Sequence, residues 1–161
     1  MSRARLLAVA GALVAFVATY LLLTRSRPTP EELIRHKAIA MADAAERKDL
    51  GFIMKQVSER FRAEEGLSRD EVRPFLAGQL FRGEWMRVFT AGVEVTLTSP
   101  STADFKGVYI FARSEAKLLK DLAREGVVAS YEITARVEKE ADGEWRFVSA
   151  SWRQADPGSL F

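Results

Sequence analysis

The sequence predicts an α+β protein in which one membrane-spanning helix carries a single small domain, half helical and half sheet. Three observations predict it. Residues 6–23 read LLAVAGALVAFVATYLLL without a single charge. From Thr29 to Phe81 the apolar residues recur at helical spacing, and from Trp85 to Arg153 they alternate with polar ones, the period of strands. Of the 161 residues, about 130 follow the span and its flanks, enough for one domain with its own core.

The apolar span is bracketed by Arg3 and Arg5 before it and Arg25 and Arg27 after it. Its 18 residues make a helix of about 27 Å, close to the hydrocarbon thickness of a bilayer. A cleaved secretory signal is the competing reading. Such signals have shorter apolar cores and end in a small-x-small cleavage site. Here residues 19–24 read TYLLLT, bulky where small residues are needed, and Ala10-Gly11-Ala12 falls too early. Residues 1–27 therefore read as an uncleaved anchor with its flanks. The arginines on its two sides nearly balance, so the positive-inside rule gives little direction. The short N-terminal tail of a signal anchor places the following domain outside the cytoplasm, in a periplasm-like compartment. Ala8/Ala12 and Gly11/Ala15 have the small-xxx-small spacing that lets two anchors pack closely, although lipid-facing filler is the commoner use of such residues.

Charge narrows the partners. The chain holds 24 Lys+Arg and 22 Asp+Glu; four arginines flank the span and the first acidic residue is Glu31. From Pro28 onward the balance is 20 against 22, or −2. The basicity belongs to the anchor, where it meets anionic lipid head groups, and a nucleic-acid role loses its electrostatic footing. Cysteine is absent, which excludes disulfides, thiolate metal sites and thiol nucleophiles.

Pro28 and Pro30 stop the anchor helix from running on. Thr29 then caps a helix with Pro30 at its first position and Glu31 and Glu32 in its first turn. Ile34, Ala38, Met41 and Ala45 form its apolar stripe, with Leu33 and Ile39 beside it, and the helix should end near Lys48. Asp49 caps a shorter helix carrying Leu50, Ile53, Met54 and Val57. Residues 58–66 are charged and read as irregular, with Phe61 tucked inward. Ser68 and Glu71 form a capping box for a third helix through Val72, Phe75, Leu76 and Phe81, in which Pro74 predicts a kink or a late start.

Val93, Val95 and Leu97 then mark a strand that Gly92 is placed to bend through a bulge. Residues 98–102 form a turn. Residues 104–113 form a second strand, apolar on both faces, and residues 114–124 a short helix stopped by Gly126. Residues 127–140 and 145–153 form the last two strands, joined by a hairpin at Asp142-Gly143. Residues 154–161 read as a loose tail. Four strands, all antiparallel, are expected.

This order resembles the NTF2-like (cone-fold, SnoaL-like) superfamily. The residues carrying the likeness are AAERKDL at 44–50, the segment Phe61…Gly66-Leu67-Ser68, and DGEWRFVSASW at 142–152. The likeness covers residues 28–153, the whole region behind the anchor. It implies a cone: helices packed across a bent four-stranded antiparallel sheet, with a pocket at the open end. One apolar face of such a sheet needs that helical cover in any case.

Enzymes of this superfamily that resemble ketosteroid isomerase hold a carboxylate base and a Tyr or Asp donor inside the cone, and a base must reach its substrate. The face expected to be concave (Val93, Val95, Leu97, Tyr131, Ile133, Ala135, Val148, Ala150 and Trp152) carries one phenol and no carboxylate. Glu94, Glu132, Arg136, Glu138, Arg146 and Arg153 fall on the opposite face, where cross-strand pairing and solvation account for them. Asp43, Tyr109 and Tyr131 are the candidate pocket groups, and an isolated polar residue beside a core is more often hydrogen-bonded structure than a catalyst. His36, the single histidine, has no second ligand near it and reads as a surface residue. No residues are assigned to a catalyst, a metal or a cofactor. Trp85, Phe89, Tyr109, Phe111, Trp145 and Trp152 are read as core. The doubly apolar second strand must bury its outer face against either a homodimer partner or the 114–124 segment.

Two functions follow. The first is a non-catalytic protein-binding or assembly module held at the membrane, an arrangement similar to an anchored cone-domain subunit of type IV secretion complexes. The alternative is a pocket that binds or isomerises a small apolar ligand.

Overall fold

A computed structural model describes residues 28–156, apart from Met86 and residues 124–125. The expected anchor, residues 6–23, and most of the expected tail lie outside the described residues. Among those described, no helix is long and apolar enough to cross a membrane.

Three helices precede most of the sheet. Helix α1 spans Pro30–Glu46. Its capping box closes as the sequence requires: the Thr29 hydroxyl accepts from the Glu32 amide at 3.2 Å, and the Glu32 carboxylate accepts from the Thr29 amide at 2.9 Å. Ile34, Ala38, Ala42 and Ala45 form its buried stripe, whereas Leu33 and Ile39 stay exposed. Lys48 ends the turn after it with φ of 58°, a left-handed conformation usually left to glycine or asparagine. Helix α2, Leu50–Lys55, is capped by Asp49, whose carboxylate accepts from the Phe52 amide at 2.9 Å. Helix α3, Arg69–Arg82, starts at the predicted box, with the Glu71 carboxylate accepting from both the amide and the hydroxyl of Ser68. Pro74 sits in its second turn and does not delay the start. At that depth its ring removes one intrahelical bond, to the carbonyl of exposed Asp70, which water can take over.

The sheet has five strands: β1 Val57–Ala63, β2 Arg87–Ser99, β3 Thr102–Ala112, β4 Val127–Lys139 and β5 Trp145–Gln154. Their order is β1-β5-β4-β3-β2, antiparallel except that β1 runs parallel to β5. The expectation of four strands, with residues 58–66 irregular, is corrected by β1. Val57, Phe61 and Ala63 point inward while Glu59, Arg60 and Arg62 face out, and such charges are usual on an edge strand. Its partner lies some 90 positions later, which local pattern cannot disclose.

The register shifts at several points, and two of these bulges shape the concave face. On β2, Ala91 pairs with Val108 and Glu94 with Lys106, so the strand gains a residue at Gly92–Val93, where Gly92 has φ of 56°. The predicted bulge is there. It turns Phe89 and Ala91 to one face and Val93, Val95 and Leu97 to the other. On β5, Val137 faces Phe147 but Arg136 faces Ser149, leaving Val148 as the extra residue. Val148 therefore does not belong to the concave face with Ala150 and Trp152; Phe147 takes that side and is buried.

The main core lies between α1 and the concave face, with Phe105 edge-on to Phe147 at 5.5 Å. A second cluster joins α2, β1 and α3 through Met54, Phe61 and Val72. A third answers the doubly apolar strand. Val108 and fully buried Ile110, on the outer face of β3, are covered by Ala116, Leu119 and Leu122 of the same chain. Among its described residues that segment forms a 3-10 turn, Leu119–Asp121, in place of the expected helix. Burying this face needs no second copy. The expected tail also begins in order: Gln154 closes β5, the Ala155 amide donates to the Ser130 carbonyl, and the Ser130 hydroxyl donates to the Ala155 carbonyl.

Candidate functional site: a cavity beneath the third helix

Helix α3 packs against α2 and β1 and stands off the middle of the sheet. The space left beneath it is a cavity of about 500 Å³, open on one side. Such a volume is in the range of small-molecule sites. Its floor is the concave sheet face, with Phe105, Tyr109 and Phe111 from β3 and Tyr131 and Ile133 from β4. Its roof comes from α3 through Phe75, Leu76 and Gly78. Alternation supplies the floor, since residues two apart on a strand share a face.

At the far side the roof touches the sheet through one aromatic contact. The Phe75 and Trp152 rings stack with centroids 5.6 Å apart. At the near side Trp85 forms the wall, edge-on to Phe111 at 4.7 Å, with its indole N–H donating to the Ala45 carbonyl at 3.4 Å. The Lys48 ammonium lies 3.6 Å from the Trp85 ring and donates to the Gly83 carbonyl at 3.1 Å. Partial burial holds the Lys48 pKa below its ordinary value. The left-handed turn at Lys48 thus locks the connector between α3 and β2 against the end of α1.

The candidate pocket groups separate. Tyr109 lies in the floor, buried, and its hydroxyl donates to the Ala38 carbonyl at 3.2 Å. Burial raises its pKa well above the usual phenol range, so it stays neutral and its proton is committed to the backbone of α1. Tyr131 stands directly across the strand pair from Tyr109 and is half-buried. Asp43 does not reach the cavity: it is exposed on the outer side of α1, between buried Ala42 and Ala44. His36 is likewise exposed on α1. Val93, Val95 and Leu97 face α1 and fill the core beside the cavity. Of the aromatics read as core, Trp145 is core, Phe89 is buried on the outer face, and Trp85, Phe111 and Trp152 line the cavity instead.

Sequence reasoning missed the roof. Phe75 and Gly78 carry no sign in the chain that they face open space, because nothing local says that α3 stands clear of the sheet. The charged residues that border the cavity, Arg82 and Glu84, are exposed at its mouth. Glu84 is held by Arg113, which pairs with its carboxylate and also donates from Nε to its main-chain carbonyl. Among the described residues no cluster of His, Cys, Asp and Glu is arranged to hold a metal ion.

The sequence matches no protein-family model and no curated protein. Solved structures do match. An NTF2-like protein from Shewanella oneidensis aligns with a TM-score of 0.58 at 17% identity, over 77% of this chain and 98% of its own. A ketosteroid isomerase-like protein from Erwinia carotovora aligns with a TM-score of 0.56 at 19% identity, over 78% and 95%. A protein with a cystatin-like fold from Nostoc punctiforme aligns with a TM-score of 0.59 at 13% identity, over 79% and 93%. At these identities the likeness shows the fold alone, and it covers nearly the full length of each neighbour: the domain has the fold of the NTF2-like proteins.

Proposed function

We propose that this chain is a membrane-anchored domain that binds a small apolar ligand in the cavity beneath α3. The observation that carries the reading is the composition of that cavity: aromatic and aliphatic walls, with the floor hydroxyl of Tyr109 already committed to the backbone. Apolar walls with few polar groups are the common form of a small-molecule site. Binding without proton transfer fits this wall best. The carboxylate that borders it, Glu84, sits at the mouth in an ion pair, out of reach of a ligand lying on the floor. Residues 6–23 supply the anchor and place the domain on the extracytoplasmic side. An assembly role at the membrane would rest on the anchor, since of the two covers expected for the outer face of β3, a homodimer partner or the 114–124 segment, the segment buries Ile110.

Gly78 provides the test. A Cβ placed there meets nothing within 4 Å and Gly78 lines the cavity, so Gly78→Phe should intrude on it. The full-length protein in phosphatidylcholine nanodiscs should bind the neutral probe N-phenyl-1-naphthylamine saturably, read by energy transfer from Trp85 and Trp152. Gly78→Phe should weaken that signal at least tenfold. Gly78→Ala should retain it and raise thermal stability by about 0.5–1 kcal/mol, the gain of removing a glycine from a helix interior. Equal binding by wild type and Gly78→Phe would rule the cavity out as the site.

A further inference from the structure

We infer that the ligand is a single-chain anionic amphiphile, a fatty-acid-like carboxylate, with its tail in the cavity and its head group at Arg82. The inference rests on the reading of the cavity as an apolar-ligand site and adds the chemistry of the ligand's polar end.

The interior offers that polar end no charged partner, only the phenols of Tyr109 and Tyr131. The Tyr109 phenol is buried and its hydroxyl donates to the Ala38 carbonyl. A charged or strongly polar group drawn onto this floor would lose its hydration with little to replace it. The polar end must therefore sit at the mouth, and the mouth has a definite sign. Glu84 is neutralised by Arg113. Arg82, in the last turn of α3, is exposed, and its guanidinium has no hydrogen bond or ion pair among the described residues. Among the described residues bordering the cavity, Arg82 is left as an uncompensated positive charge, and a cationic head group would meet it unfavourably.

The mouth is also apolar where a tail would pass. Phe75 is 41% exposed on the α3 side and Val128 is 48% exposed on the β4 side, both bordering the cavity. Exposed apolar residues bordering an apolar cavity extend the contact that an elongated chain can make beyond the floor. Guanidinium and carboxylate have matched planar geometry, so Arg82 can hold a carboxylate head through two parallel bonds.

The test compares photoreactive diazirine analogues of dodecanoate and dodecanol, which share a tail and differ in head group, on the full-length protein in phosphatidylcholine nanodiscs. Labelled peptides are mapped by mass spectrometry. Dodecanoate should label the cavity peptides in preference to dodecanol. Arg82→Gln should reduce that preference about two- to fivefold, the range expected for an exposed ion pair, and 1 M salt should reduce it likewise. Glu84→Gln frees Arg113 and should increase the preference. Neither substitution alters the floor, so dodecanol labelling should be unchanged in both. Equal cavity labelling by the two probes would overturn the anionic head group while leaving the apolar site standing. A carboxylate preference that both variants leave unmoved would overturn its placement at Arg82. Labelling that avoids the cavity altogether would remove the apolar site, and this inference with it.

Discussion

Asp142 and Arg146 show how single side chains fix the β4–β5 hairpin. Two nitrogens of Arg146 donate to the two carboxylate oxygens of Asp142, at 2.7 and 3.0 Å, and the Glu144 amide donates to the same carboxylate at 3.0 Å. These bonds, the Arg146 pair foremost, hold the Asp142 pKa at about 2 against an ordinary 3.8. Folding thus favours the ionised form. Its contribution to stability is complete above about pH 4 and is lost as pH falls through the folded value near 2. Asp142→Asn should flatten the loss of stability between pH 4 and pH 2, read by circular dichroism at fixed denaturant. Glu140, lowered first by its hydrogen bond from the buried Ser58 hydroxyl and then by Arg146, should supply acid sensitivity that remains in the variant. Acid curves of the same steepness for variant and wild type would mean that the Arg146 clasp does not contribute.

Between the elements, the short connector after α3 decides whether the cavity has a near wall. Gly83 packs directly beneath the Trp85 ring, and a Cβ there would overlap the ring atoms. Gly83→Ala should push Trp85 out of its seat, separate it from Lys48 and Phe111, and destabilise the fold by about 1–3 kcal/mol, the usual cost of overpacking. Thermal denaturation gives the stability change, and a red shift in tryptophan emission reports the displaced ring. An unchanged spectrum and melting point would show that the connector can yield. Other elements differ in how far the chain discloses them. The capping boxes at Thr29 and Ser68, the Asp49 cap and the Gly92 bulge depend on neighbours a few residues away, and each stands where the chain implied. Strand β1 and the 113–126 segment depend on distant partners. The charges of β1 line an exposed edge and so mask its alternation. In the 113–126 segment Leu118, Leu119 and Leu122 fit a helical period, whereas in the fold Leu119 and Leu122 serve to cover Ile110.

For the protein as a unit, the described core runs from Ile34 to Trp152 and draws on residues of the domain itself. Removing residues 1–27 should leave that core intact, change the formal charge from +2 to −2, and transfer the protein from the membrane to the soluble fraction. Sedimentation of membranes after expression, with circular dichroism of the released domain, checks both parts. A truncated protein that stays with the membrane would show that residues 6–23 are not its anchor.

The chain alone announced its α+β class, the starts of α1, α2 and α3, the bend in β2 and the apolar character of the concave face, because each is written in short-range period, capping chemistry or glycine placement. It placed Tyr131 on that face and named Tyr109 as a candidate pocket group, while the strand register sets the two opposite one another. It misplaced Asp43, which the helical phase of α1 turns outward, and Val148, which a bulge removes from the series. Tertiary structure decided the remainder: that a fifth strand closes the edge, that the outer face of β3 is buried by its own chain, and that α3 stands clear of the sheet. These depend on the packing of segments up to 90 positions apart, for which no local pattern is required. The cavity exists because of that stand-off, so the residues that roof it could be named only from the assembled fold.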